Sequence, residues 1–200
     1  MFKQAAKSII EKSQQLSELD MKGDADCGVN IANGFEKILE KLSALHDPDI
    51  GTTLSTAGQV FVFDIGSTIG GLLGRAFQKA GKQLEGRRQL DASEFVSILE
   101  IMLQTIEEVG GAKVGDKTIL DALQPAVIAA QNSLKSNTND LQRVLHDAAT
   151  AAKDGAEHTA DMVAKIGRAS YLGERSRGTI DPGAMFIYIF LNEIAQALHD

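Results

Sequence analysis

Apolar residues recur at intervals of three and four along most of this 200-residue chain, and this spacing limits the possible folds more than any other feature. One stripe comprises Phe35, Ile38, Leu39, Leu42 and Leu45, and another comprises Phe95, Leu99, Met102, Leu103 and Ile106. Similar stripes occupy residues 3–17, 51–65, 69–80, 118–134 and 139–166. Residues spaced in this way lie on one side of an α-helix, so the pattern predicts an all-α chain. We expect about eight helices in one antiparallel barrel or bundle that spans residues 1–200.

Local signals mark the start of two of these helices. Asp91 precedes Glu94 by three residues, which is the spacing of a capping box. Asp181 is followed by Pro182, and proline at the first helical position loses no hydrogen bond because its amide would be unpaired there. Helices are therefore expected to begin directly after Asp91 and after Asp181.

Two segments test the helical interpretation. Pro125 falls inside the stripe of 118–134 and is expected to kink that helix or to mark its late start. Residues 59–63 are the most strand-like run in the chain. A single strand has no partner to pair with, so we predict a buried helix there.

Charge and composition exclude several classes of function. The formal charge is −7, from 20 Lys and Arg and 27 Asp and Glu, which argues against binding a nucleic-acid backbone but not against a small anionic ligand. No apolar run approaches the roughly 20 residues of a membrane helix, and the first residues lack the apolar core of a secretory signal. The single cysteine, Cys27, cannot form an internal disulfide. We therefore expect a cytoplasmic protein without a membrane or nucleic-acid partner.

The connection of residues 17–28 is long and contains glycine. Together with the residues that follow it, it holds a cluster of hard oxygen donors. The donors are Asp20, Asp24, Asp26 and Asn30. Such oxygens suit Mg²⁺ or Ca²⁺, although an EF-hand does not fit because Phe35 stands where its last glutamate belongs. The alternative is a solvated acidic turn that caps the next helix, and composition alone favours this alternative slightly.

Two further segments are rich in glycine. Residues 66–74 follow an apolar run, as a phosphate-binding loop does, but lack the Gly-Lys-Ser/Thr ending. Small residues at a helix start can present N–H groups to a phosphate, or they can permit close helix packing, which is the favoured interpretation of this segment in isolation. Residues 110–118, taken alone, form a loop.

The connection of residues 167–181 is also long, and connections of this length in compact helical proteins are usually functional. It carries Arg168, Arg175 and Arg177 and ends at a helix start. Guanidinium groups, free N–H groups and the positive end of a helix dipole suit an oligophosphate. The alternative is a surface loop with ordinary salt bridges.

The remaining candidate side chains carry weaker signals. Four histidines, at positions 46, 146, 158 and 199, have no metal-like spacing, and we expect all of them to face solvent. Cys27 has no partner histidine or second cysteine in a recognisable motif, so a nucleophilic or zinc-binding role is not expected.

Together these segments resemble the family of nucleotide-binding L subunits of dihydroxyacetone kinases. The sequence GDADCGVN is similar to the family's Gly-Asp-x-Asp-His-Gly-x-Asn segment. The sequences GDKTILDAL and GRASYLGERSRGTIDPGA follow the family's later motifs almost letter for letter. The resemblance covers nearly the whole chain in the same order. It implies a phosphotransferase with an all-α barrel that holds ADP or ATP and two Mg²⁺ ions at one end.

The resemblance also assigns roles to individual residues. The metal-binding aspartates fall on Asp20, Asp24 and Asp26. The nucleotide contacts fall on Cys27, Gly28, Val29, Asn30, Thr68, Ile69, Gly110, Ile119, Arg168, Asp181, Pro182 and Gly183. Carboxylates that hold Mg²⁺ would help to neutralise the charge of the transferred phosphoryl group. Arg168 then becomes the candidate catalytic residue.

Partners follow from the same resemblance. In the phosphotransferase-system version of the family, ADP stays bound and a phosphohistidine protein of the M type rephosphorylates it. The phosphoryl group then passes to dihydroxyacetone on a separate K-type subunit. A 200-residue chain without a fused K domain resembles that arrangement. The sequence leaves open whether the chain forms a homodimer.

Four positions depart from the family pattern. The interval from Asp20 to Asp24 is one residue shorter, and Cys27 replaces a histidine. Ile69 replaces a hydroxyl residue, and Ile119 replaces a common methionine. These departures keep two alternatives open: an ATP-dependent kinase subunit for another triose or tetrose, and a regulatory nucleotide-binding paralogue without turnover.

The loop from Gly167 to Ile180 is expected to act as a lid over the nucleotide. Its glycines at 167, 173 and 178 are candidate hinges. Closure would exclude water, so that the phosphoryl group is handed to the partner and not hydrolysed.

Overall fold

The computed structural model describes residues 1–20, 25–136 and 139–198, and its regular structure is helical. Nine α-helices follow one another in these residues: α1 (Phe2–Glu11), α2 (Ser13–Leu19), α3 (Cys27–Ser43), α4 (Ile50–Phe63), α5 (Thr68–Gln83), α6 (Ala92–Gly110), α7 (Leu120–Lys135), α8 (Leu141–His158) and α9 (Pro182–Gln196). Two 3₁₀ segments, Thr159–Asp161 and Arg168–Ser176, lie between α8 and α9. The predicted all-α class is confirmed.

α4 and α5 run antiparallel, and glycines set their closest approach. A Cβ on Gly58 of α4 would lie 2.6 Å from the Gly74 carbonyl of α5, and a Cβ on Gly81 would lie 2.8 Å from the Gly51 carbonyl. These contacts pair the start of α4 with the end of α5, which is the antiparallel arrangement. Close packing is therefore confirmed for Gly74, whereas Gly71 faces open space.

Phenylalanine rings fill the centre of the barrel. Phe35 of α3 is fully buried, with ring centroids 5.5 Å from Phe61, 6.0 Å from Phe186 and 6.2 Å from Phe190. Phe77 stacks on Phe61 at 6.1 Å. Aromatic side chains contribute large apolar areas and favour such edge and offset contacts. The predicted buried helix over 59–63 is confirmed, although Phe63 at its end is 79% exposed.

The first apolar stripe forms two helices and not one. α1 ends at Glu11 and α2 begins at Ser13, with Lys12 between them. The Lys12 ammonium is ion-paired with the buried Glu193 of α9. Lys12 and neighbouring hydrogen bonds hold the pKa of Glu193 below its usual range, against the desolvation that would raise it. This pair joins the break between the two helices to the last helix.

Pro125 lies inside α7, so the helix does not start late. Because proline has no N–H to give, the Asp121 carbonyl one turn earlier loses its helical donor. Gly155 of α8 packs against that carbonyl so closely that a Cβ there would lie 2.2 Å from the oxygen. The contact between α7 and α8 therefore uses the position that the proline leaves open.

α8 ends earlier than the apolar pattern predicts, at His158 and not near residue 166. The Thr159 carbonyl accepts a hydrogen bond from Lys117 Nζ, and the Thr159 hydroxyl accepts one from the Asp181 amide. Both donors come from other parts of the chain, and they hold Thr159 in a 3₁₀ turn. Tertiary contacts therefore end this helix.

Three of the four histidines, at positions 46, 146 and 158, are exposed as predicted, and His199 lies outside the described residues. Within residues 1–20, 25–136 and 139–198, no helix is both long enough and apolar enough to cross a membrane.

Candidate functional site

Contacts between four connections and the helix starts beside them place these connections at one end of the barrel, here called the loop end. They follow α2, α4, α6 and α8 and lead into the starts of α3, α5, α7 and α9. These are the four segments that the sequence marks as candidates. A cavity of about 610 Å³ lies elsewhere, at the opposite end, and residues such as Phe95, Leu99 and Phe190 line it. None of the predicted site residues lines this cavity.

The first turn of α3 is organised by Asp20. Its Oδ2 accepts a hydrogen bond of 3.1 Å from the Cys27 amide, so the carboxylate takes the place of a helix cap. Partial burial raises the pKa of Asp20, the Cys27 amide opposes that rise, and the nearby charge of Asp26 adds to it. The predicted ligand Asp24 lies outside the described residues.

Cys27 and Gly28 are buried at this helix start. Desolvation raises the pKa of the Cys27 thiol far above its ordinary value, and the negative charges of Asp20, Asp181 and Asp26 raise it further. The thiol is therefore protonated at neutral pH. A Cβ on Gly28 would lie 2.0 Å from the Ser13 carbonyl, so the residue allows α3 to pack on α2. Val29, in the same turn, is 53% exposed at the surface.

Arg168 joins the last connection to the first. Its Nη1 lies 3.8 Å from Oδ2 of Asp26, and both side chains are about half exposed, at 63% and 47%. An exposed ion pair of this kind adds little to stability. The pair matters because it places the candidate catalytic guanidinium beside Asp26, one of the aspartates that the sequence predicts as metal ligands.

The start of α9 completes this cluster. Oδ1 of Asp181 caps the helix by accepting a 2.8 Å hydrogen bond from the Ala184 amide. Pro182 has no N–H, so Gly183 carries the first amide of the helix. Burial raises the pKa of Asp181 to about 7, the Ala184 amide and the Lys117 charge oppose that rise, and Asp121 and Asp20 add to it.

A second group of predicted residues surrounds the start of α5. Ser67 caps this helix, its hydroxyl accepting a 3.1 Å hydrogen bond from the Gly70 amide. Thr68 and Ile69 occupy the first turn, where amides have no carbonyl within the helix to bond. A Cβ on Gly110, at the end of α6, would lie 3.2 Å from Leu72, so this glycine lies beside the second turn of α5.

The connection between α6 and α7 is more ordered than the sequence indicates. Asp121, buried at the start of α7, accepts hydrogen bonds from the Gly115 amide at 2.5 Å and the Thr118 amide at 2.7 Å. Ile119 lies against Gly183 of α9, with its Cβ 3.4 Å from the position that a Cβ on that glycine would take. The connection therefore places the buried Ile119 at the start of α9.

The structure thus brings Asp20, Asp26, Cys27, Arg168 and Asp181 into one cluster. Thr68, Ile69 and Gly110 form a separate group at the same end. Sequence reasoning missed Lys117 and Asp121, which are both buried. Both lie in the GDKTILDAL motif, but nothing in the letters distinguishes a buried lysine from an exposed one.

The arrangement defines an all-α barrel with helix starts, aspartates and Arg168 gathered at one end. The chain belongs to the DAK2 domain family, whose sequence model matches residues 21–196. Among its relatives is the ADP-binding subunit DhaL of the PEP-dependent dihydroxyacetone kinase of Escherichia coli (strain K12), 36% identical over 187 residues, or 93% of this chain and 89% of that one. A second is the DhaL subunit of PEP-dependent dihydroxyacetone kinase 2 of Listeria innocua, 32% identical over 96% of this chain and 89% of its own length.

Solved structures agree with this assignment. The native dihydroxyacetone kinase of C. freundii superposes with a TM-score of 0.76 at 26% identity, covering 98% of this chain and 33% of that one. The same enzyme in complex with AMP-PNP and Mg²⁺ superposes with a TM-score of 0.74 at 27% identity. The chain thus spans about a third of that enzyme's length. The named relatives are kinases, so the family to which the chain belongs is one of phosphotransferases.

Proposed function

We propose that this chain is the ADP- or ATP- and Mg²⁺-binding subunit of a dihydroxyacetone kinase. The observation that carries the proposal is the cluster at the loop end, where Nη1 of Arg168 lies 3.8 Å from Oδ2 of Asp26 and the charge of Asp20 acts on Asp181, the cap of α9. Burial raises the pKa values of Asp20 and Asp181, and the charge of a neighbouring carboxylate adds to the rise for each. A bound divalent cation would favour the charged form of these carboxylates.

Asp20, Asp24 and Asp26 are the residues that would hold two Mg²⁺ ions. Their donor set of carboxylate oxygens suits this hard cation. Bound Mg²⁺ would supply charge neutralisation for the phosphates during transfer. Asp20 also holds the first turn of α3 through the Cys27 amide, so the metal site and that helix start form one unit.

The starts of three helices would bind the nucleotide. Gly28, Val29 and Asn30 contribute the first turn of α3, Thr68 and Ile69 that of α5, and Pro182 and Gly183 that of α9. Free amides and the positive end of the helix dipole favour phosphate at such positions. The buried Ile119, beside Gly183, and Gly110, beside α5, would line the space between these starts.

Arg168 is the candidate catalytic residue. Its guanidinium is exposed and reaches Asp26, so it can contact a phosphate held beside that aspartate. The loop of 167–180 would act as a lid that limits access of water during transfer. Tyr171 in this loop is 89% exposed. Tyrosine is enriched at protein–protein interfaces, which suits contact with the K-type subunit that carries dihydroxyacetone.

Two candidate functions differ in the phosphoryl donor and in the sugar that accepts the phosphoryl group. The relatives that this chain matches over 89% of their own length are ADP-binding subunits of PEP-dependent kinases, which favours a phosphohistidine protein of the M type as donor. The L-erythrulose 1-kinase of Mycolicibacterium smegmatis is 31% identical over 94% of this chain. That relative favours the second candidate function, a kinase subunit for a tetrose.

The test begins with a mass spectrum of the nucleotide released from the purified protein. We expect ADP, together with its conversion to ATP on the protein when a phosphohistidine donor is added. Addition of a K-type partner loaded with dihydroxyacetone should then yield dihydroxyacetone phosphate. Turnover with free ATP and erythrulose, but not with the phosphohistidine donor, would favour the second candidate. Nucleotide binding without turnover on either sugar would contradict both and indicate a regulatory paralogue.

A further inference from the structure

Lys117 joins two connections that are far apart in the sequence. Its Nζ donates hydrogen bonds of 2.5 Å to the main-chain carbonyls of Thr159 and Thr179. The lysine itself belongs to the connection between α6 and α7, and only 5% of it is exposed. A buried ammonium group is unfavourable unless hydrogen bonds and opposite charges compensate it. The two carbonyls around Lys117 therefore stabilise its buried ammonium group.

The two carbonyls flank the base of a loop. We call residues 159–160 and 178–181 the neck, since the chain leaves the barrel through 159–160 and returns through 178–181. Across the neck, the Gly178 amide donates to the Ala160 carbonyl at 2.8 Å, and the Asp181 amide donates to the Thr159 hydroxyl at 2.8 Å. The Lys117 ammonium bonds to both sides at once, so one nitrogen holds the two ends of the loop together.

The neck determines where two parts of the site lie. The loop that it closes carries Arg168, which reaches Asp26, and the chain after the neck begins α9 at Asp181. Inside the loop, 3₁₀ turns run from Arg168 to Ser176 and are interrupted at Gly173. The hydrogen bond of the Gly178 amide makes this glycine part of the neck. Movement of the lid is therefore expected between Gly167 and Gly173 and not at Gly178.

We propose that Lys117 is a positioning residue that keeps the neck closed, and that it thereby holds Arg168 and the start of α9 at the aspartate cluster. It acts through the loop, because its ammonium group is directed to two carbonyls and is buried. The consequence for the nucleotide rests on the proposed function above, whereas the closure of the neck does not.

Lys165 offers a matched control. It joins the same two connections from the outside, with its Nζ 3.3 Å from Oδ1 of Asp116 and its side chain 63% exposed. The main-chain amide of Lys165 also donates to the Asp116 carbonyl, a bond that a side-chain substitution leaves intact. Lys165→Met therefore removes a lysine contact between these connections without opening the neck.

The first experiment is trypsin cleavage of the full chain without nucleotide, followed by mass spectrometry of the fragments. Lys117→Met should accelerate cleavage after Arg177, at its bond to Gly178 of the neck, about tenfold or more, because local opening controls cleavage of a folded protein. The cleavage rate of Lys117→Arg should rise less, because a guanidinium retains the charge and several hydrogen-bond donors. Lys165→Met should remain within about twofold of the parent. Equal cleavage rates for Lys117→Met and the parent, or for the Met variants of both lysines, would overturn the proposal.

The second experiment measures transfer in a double-mutant cycle. If Lys117 acts through Arg168, the loss caused by Lys117→Met should largely disappear in a chain that already carries Arg168→Ala. Additive losses would contradict a positioning role. A parent chain that binds no Mg²⁺–ADP would defeat the proposed function, whereas the cleavage comparison would still decide whether Lys117 closes the neck.

A third measurement needs no variant and covers the case in which Lys117→Met fails to fold. Hydrogen exchange of the parent chain should show slow exchange of the Gly178 and Asp181 amides and fast exchange within residues 168–175. Equally fast exchange at the two neck amides would overturn the proposal.

Discussion

The two ends of the barrel use aspartates in opposite ways. At the loop end, Asp20 and Asp181 have raised pKa values because burial and neighbouring carboxylates disfavour their charged forms. At the opposite end, Asp49 caps α4 by accepting a 2.7 Å hydrogen bond from the Thr52 amide, which holds the pKa of Asp49 below its usual range. The charged form of aspartate is thus disfavoured at the loop end and favoured at the opposite end.

The difference extends to the other caps and to the arginines. Asp91 and Glu94 form a complete capping box at the start of α6, and Arg87 is ion-paired with that glutamate. Asp140 caps α8 through two amides. Caps at the opposite end have their hydrogen bonds satisfied within the chain, as Asp20 and Asp181 do at the loop end. The loop end differs because burial, together with neighbouring carboxylates, raises the pKa of Asp20 and of Asp181, which is typical of functional sites.

The largest expected effect is the loss of Mg²⁺-dependent nucleotide binding when an aspartate of the first connection is removed. Asp26→Ala and Asp24→Ala should each weaken binding of Mg²⁺–ADP by on the order of 100-fold, because a hard cation needs these oxygens. Calorimetry with and without Mg²⁺ checks this. Asp47→Ala, which removes an exposed carboxylate paired with Arg88 at the opposite end, is the control and should bind normally. Unchanged affinity in Asp24→Ala would refute that assignment.

Arg168→Ala should give the next largest effect. We expect phosphoryl transfer to slow about 100-fold, as on loss of a donor to a developing negative charge, while the melting temperature stays near that of the parent. Arg88→Ala is the matched control, because its guanidinium is similarly exposed, at 59% against 63%, and also pairs with an aspartate. A variant of Arg168 that transfers at the parental rate but melts several degrees lower would show that the residue is structural.

The third prediction concerns pH. Asp181 has a folded-state pKa of about 7 and an ordinary value of 3.8, so the folded chain takes up a proton between these values and its stability rises as the pH falls through this window. Asp181→Asn keeps a capping side chain without the charge. At pH 8 in Mg²⁺-free buffer it should raise the free energy of unfolding by about 1 kcal/mol, less than the full shift implies because the residue is partly exposed. Urea titrations at pH 5 and 8 measure this, and an equal change at both values would contradict it.

The smallest effect is expected at the opposite end. Asp91→Ala removes one half of the capping box and should lower the free energy of unfolding by about 1 kcal/mol without changing nucleotide affinity. Urea unfolding and calorimetry on the same variant check both parts. A loss of nucleotide affinity would show that the two ends are coupled, and the contrast between them would then fail.

Much of the fold was predictable from residue spacing. The apolar stripes predicted an all-α chain, and the caps at Asp91 and Asp181 are confirmed because each depends on residues within one helical turn. The break at Lys12 and the end of α8 at His158, directly before Thr159, were not predictable. Both depend on partners distant in sequence, Glu193 for the first and Lys117 and Asp181 for the second.

The candidate site divides in the same way. The sequence by itself determined which residues are chemically suited to metal and phosphate, since carboxylates, arginines and helix starts are local features that a motif records. Only the tertiary structure decided that Asp26 meets Arg168 and that Lys117 is buried between the Thr159 and Thr179 carbonyls. The physical reason is that burial and charge proximity are properties of the folded packing, and a side chain's environment is set by parts of the chain that its own sequence neighbours do not specify.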